Sequence, residues 1–149
     1  MSAGARNVRG GLIILSAGLL MGIAMSLYAF VPMVEVPAAL DRYDDLPRRL
    51  LRLAHISAIM LPLINIVLGG WIDRLPMPAR RRDAASWALL VGAVGVPLAL
   101  AAEALSPLAR TVHLSGGPVA VFCAGVFAIS FAAWRDFPAY SVRGLDAGP

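Results

Sequence analysis

Two histidines are the side chains of this sequence best suited to chemistry. His55 opens one long apolar stretch, and His113 stands just before another. An imidazole can trade a proton near neutral pH or give a nitrogen to a metal. Two imidazoles at similar depth in a helical bundle are the arrangement that holds a b-type haem through its axial positions. Arg52 and Arg110 lie close to them in the chain, and arginines suit haem propionates. Haem b with electron transfer to a quinone is therefore one reading. A bare metal ion would need more ligands, and Glu35 and Glu103 fall on the same side of the chain's topology. A plainer reading stands beside it: two histidines near a membrane surface can simply be hydrated.

Other chemistries find less support. There is no H-E-x-x-H, no P-loop and no dinucleotide fingerprint. No Ser-His-Asp order can be assembled without arbitrary choices. Cys123 is the only cysteine, so an internal disulfide or a C-x-x-C pair is impossible. No acidic residue sits in the middle of an apolar stretch, so a small proton-coupled exporter lacks its titrating group.

The segment Arg52 to Pro62, RLAHISAIMLP, resembles the second-span region of the membrane-associated eicosanoid and glutathione metabolism proteins. That family is also four-span and of similar length. Its pattern asks for an asparagine and a glutamate where this chain has Ser57 and Met60. The polar core is missing, and glutathione chemistry does not carry over.

The elements that must position these residues are written in the composition. The chain has 149 residues, 59% of them apolar, against roughly 45–50% in an ordinary soluble domain. The mean hydropathy is +0.75. The apolar residues gather in four blocks, about 11–31, 50–72, 84–105 and 115–134. Each matches the roughly 20 residues that a helix needs to cross hydrocarbon. The sequence thus predicts one all-α domain over 1–149, an integral membrane bundle of four transmembrane helices, with polar tails at 1–10 and 135–149. The first block exceeds the apolar core of a signal peptide, although Val36-Pro37-Ala38 could pass as a cleavage site; it reads as a retained span. A short interfacial helix is expected over 36–43, followed by Asp44 or Asp45 as a cap and Pro47 in the first turn of the second span.

Stepping from Arg48 by threes and fours reaches Leu51, His55, Ala58, Pro62, Asn65 and Gly69, one face of a helix. This face should turn inward, with Pro62 and Asn65 as its intramembrane polar part. Pro62 has no amide hydrogen, so the Ala58 carbonyl loses its helical donor. Asn65 should bond across to another helix. Small residues form further ladders: Gly18, Gly22 and Ser26; Ala85, Ala88, Gly92, Gly95, Ala99 and Ala102; Gly116, Ala120, Ala124, Ala128 and Ala132. The second of these should put the third span at the centre. Glu103, near its end, should be hydrated or paired with Arg110.

All 13 basic residues are arginine, and they sit in the connections. That pattern speaks for membrane topology and against nucleic acid. Eight arginines fall on the side of the termini and five on the other, which puts both termini in the cytoplasm, in a bacterial inner membrane. Trp71, Trp87 and Trp134 fall at that same interface.

No chemical cluster dominates and the ladders are many. The leading expectation is a non-enzymatic membrane subunit or assembly factor acting through helix contacts, in a homo- or hetero-oligomer. The haem or metal protein comes second. A small transporter, or an enzyme whose site forms between protomers, comes third.

Overall fold

The computed structural model describes residues 1–29, 40 and 42–143. Among them are five helices: α1 (Ala3–Ala29), α2 (Leu46–Ile72), α3 (Ala79–Leu105), the single-turn α4 (Pro107–Thr111) and α5 (Gly116–Arg143). Four of these are long and apolar enough to cross a membrane. The chain is an all-α integral membrane bundle. The interfacial helix expected over 36–43 falls largely outside the described residues.

Both supposed tails differ from expectation. The first ten residues are not a loose polar tail: α1 begins at Ala3. The Gly4 amide donates to Asp73 Oδ2 at 3.1 Å, and Arg6 pairs with Asp83 at 3.0 Å. These bonds tie the start of α1 to the ends of α2 and α3, and they satisfy polar groups that would otherwise stay in water. At the other end, α5 runs on through 135–143.

α3 is the centre. It packs on α1, α2, α4 and α5, and α5 packs on α3 far more than on any other helix. Over half of α3's apolar window is buried (56%), against 11% in α1 and 17% in α5. The small residues of α3 explain how α5 comes so close. Phe122 lies so near Gly92 that any side chain there would collide with it, and Pro118 lies over Gly95. Gly125 faces Ala88, Leu89 and the Ala85 carbonyl. The face of α5 toward α3 is thus Pro118, Phe122, Gly125 and Ile129. The ladder Gly116, Ala120, Ala124 and Ala128 points elsewhere and is exposed.

α2 begins after Asp45, as expected in position, but the Asp45 side chain makes no capping bond. Pro62 lies inside the helix, and Pro62 and Asn65 are both buried. Large apolar side chains such as Ile13, Leu20, Ile23, Val67 and Leu98 are exposed on the perimeter. With no hydrophobic core to join, they are the surface for lipid.

Candidate functional site

The seam between α1 and α2 is built from reciprocal small and polar residues. Asn7 of α1 lies on Gly69 of α2, and Asn65 of α2 lies on Gly11 of α1. Further along, Gly18 meets the Ala58 carbonyl and Gly22 meets the His55 ring. The stripe read from Arg48 to Gly69 is therefore the surface on which α1 packs.

Pro62 leaves the Ala58 carbonyl without its amide donor. The Gly18 backbone closes over that oxygen, so near that a methyl group at Gly18 would collide with it. A Cα–H of Gly18 is the partner available there, a weak bond worth about 0.5–1 kcal/mol. Asn65 spends its amide on α3, donating to the Leu89 carbonyl at 3.1 Å. Its Oδ1 is buried without a partner among the described residues.

His55 lies further along the same face, half-buried. A Cβ at Gly22 would stand 2.6 Å from its Cε1 and 3.0 Å from its Nε2, so the ring edge rests on bare α1 backbone. Its Nδ1 is buried with no hydrogen-bond partner among the described residues. An unpaired imidazole nitrogen at this depth costs free energy, and it is the kind of group a ligand or proton transfer would employ.

The second expected histidine is differently housed. His113 is exposed, in the turn between α4 and α5, with a left-handed backbone (φ 48°). Its carbonyl accepts from Gly116 N and its amide donates to the Arg110 carbonyl. His55 faces α1 across Gly22, while His113 sits at the start of α5, which packs chiefly on α3. The fold gives them different neighbours. Arg52 is engaged at the membrane edge: its guanidinium lies 4.0 Å over the Tyr43 ring and donates to the Tyr43 carbonyl. Arg110 is half-buried, and its Nε has no partner among the described residues.

Glu103 departs from both alternatives offered for it. It is neither hydrated nor ion-paired with Arg110; it is 6% exposed and accepts from the Ser115 amide at 2.6 Å. A carboxylate at the first amide of α5 is favoured by the helix dipole. Among the described residues no group of three or more metal-ligating side chains gathers.

A second polar cluster escaped sequence reasoning. Ser86 on α3 accepts from Arg6 Nε and Nη2 and donates to Asn7 Oδ1. Both Ser86 and Asn7 are fully buried. Arg6 also stacks on Trp87 at 4.9 Å. Arg6 and Asn7 had looked like tail residues; the signal available was that Asn7, Gly11 and Gly18 share the three-four spacing of a helix face with Gly22.

The family model for styrene oxide isomerase matches residues 4–135, which takes in all four spans. No curated protein and no solved structure matches the chain. A match over most of the chain means that it belongs to the styrene oxide isomerase family.

Proposed function

From that membership we propose that the protein is a membrane isomerase, which opens a small apolar aryl epoxide to the isomeric aldehyde. In such a reaction the C–O bond beside the ring breaks, and the cation left there takes a hydride from the neighbouring carbon. The oxygen keeps its other bond and becomes the carbonyl. Nothing is oxidised or reduced overall, and no water is consumed. Water would divert the cation to a diol, so a helical bundle in hydrocarbon suits the step. An apolar epoxide would also concentrate in the bilayer.

The reaction needs an electrophile on the epoxide oxygen, and we assign this to His55. The family match across the four spans carries the reading, and the buried, unpartnered Nδ1 supports the residue. As an imidazolium it would donate a proton toward the oxygen as the bond breaks. Haem b is a second reading of the same residue: His55 would be an axial ligand, and iron so held would supply Lewis-acid chemistry. The exposed turn around His113 makes it a poorer ligand than His55, while Arg110, with its unpartnered Nε, suits a propionate better than the engaged Arg52.

Membranes carrying the chain should convert styrene oxide to phenylacetaldehyde, read by gas chromatography. His55→Ala should lose about 10²–10⁴-fold in rate, the usual contribution of a positioned acid. A Soret band lost in the same variant would choose haem over the imidazolium. Full activity in His55→Ala would remove the residue from the proposal.

The reading as a subunit that works through helix contacts survives in a narrower form, as self-association of the isomerase. Gly116 and Ala120 leave an exposed small surface on α5 that another helix could approach. Crosslinking in native membranes should yield a homo-oligomer; a monomer at every detergent level would count against it.

A further inference from the structure

We propose that the groove between α3 and α5, on the side where the chain's termini lie, binds an anionic phospholipid from the surrounding bilayer. The groove encloses about 710 Å³. Its walls are small and apolar, with Ala85 and Ala88 from α3 and Ala124 and Ala128 from α5. An acyl chain needs such a channel. Arg81 stands on one wall and Arg135 on the other, and no residue lining the groove carries a carboxylate.

The arginines are not generic. Of the run Arg80-Arg81-Arg82, Arg82 donates to the Leu75 and Met77 carbonyls and holds the α2–α3 connection. Arg80 is not part of the groove. Arg81 is, one turn into α3, level with the end of the apolar part of α5 where Arg135 sits. Trp87 and Trp134 are exposed near the same ends, as indoles are at the headgroup level. Two guanidinium groups at headgroup depth above an apolar channel match a phosphate joined to acyl chains.

Charge also argues against a second copy of the chain as the occupant. It would have to bring carboxylates to this level, and the described ones nearest it are engaged: Asp73 accepts from Gly4 N, and Asp83 pairs with Arg6.

The test is native mass spectrometry of the protein taken from bilayers that mix phosphatidylcholine and phosphatidylglycerol. The wild type should retain phosphatidylglycerol in preference. That preference should fall by about fivefold for each of Arg81→Gln and Arg135→Gln. Arg80→Gln should leave it unchanged. Ala124→Leu, which fills the channel and keeps both charges, should remove the bound lipid. Equal retention of the two lipids by the wild type would overturn the proposal, as would adducts unchanged in both the charge and the filling variants. A dimer in place of lipid adducts, lost in Ala124→Leu, would overturn it too. The readout is bound lipid rather than turnover, so it is independent of the isomerase assignment.

Discussion

Asn65 and Gly18 differ in how much their neighbours can give. Asn65→Ala removes the bond to the Leu89 carbonyl, and interhelical bonds in membranes are worth about 0.6–2 kcal/mol. Gly18→Ala drives a methyl group into the backbone of Ala58, which cannot rotate away. We expect thermal unfolding in detergent to rank Gly18→Ala as the more damaging, with Gly70→Ala neutral because nothing lies near its Cα. A harmless Gly18→Ala would mean that α1 and α2 do not meet here. A similar contrast holds at the membrane edge. Asp83 is 58% exposed on its side chain, so Asp83→Asn should cost under about 1 kcal/mol despite the ion pair. Ser86→Ala strips a buried hub from Arg6 and Asn7 and should cost about 1–3 kcal/mol. Equal effects in a denaturation series would refute that ranking.

At the scale of the helices, the α3–α5 contact depends on one missing side chain. Gly92→Leu should lift α5 from α3, because it meets both backbone and side chain of Phe122. Hydrogen exchange should then rise in α5 and stay low along the α1–α2 seam; a uniform rise would contradict α3 as the shared centre. The spacing of polar and small residues made much of this visible beforehand. The stripe through His55, Pro62 and Asn65 does face a helix, and the seam of Gly92 and Gly95 does run through the centre. The ladder on α5 carried a different message. Ala120, Ala124 and Ala128 leave the packed face to Phe122 and Ile129, since a large residue opposite a glycine fills more space than two small ones. The amphipathic pattern could not reveal that. Nor did the polar character of residues 1–10 disclose a helix, because what stabilises it there is bonding to Asp73, Asp83 and Ser86, far away in the sequence.

For the whole molecule, the weighting of arginines puts both termini in the cytoplasm. A C-terminal fluorescent protein should therefore light up and a C-terminal alkaline phosphatase stay inactive; the opposite pair of results would invert the topology. Function was less legible than architecture. A reaction that needs one electrophile in a dry apolar setting leaves one histidine as its trace, where a hydrolase would leave a triad. The non-enzymatic expectation weighed that sparseness as absence of chemistry; the family match gives sparse chemistry a use. The most direct test is styrene oxide carrying deuterium on its terminal carbon, incubated with membranes that contain the intact chain. The account predicts phenylacetaldehyde that keeps both deuteriums, one of them moved to the carbon beside the ring, with the rate collapsing in His55→Ala. No aldehyde above control membranes, or deuterium lost to solvent during the enzymatic step, would contradict it.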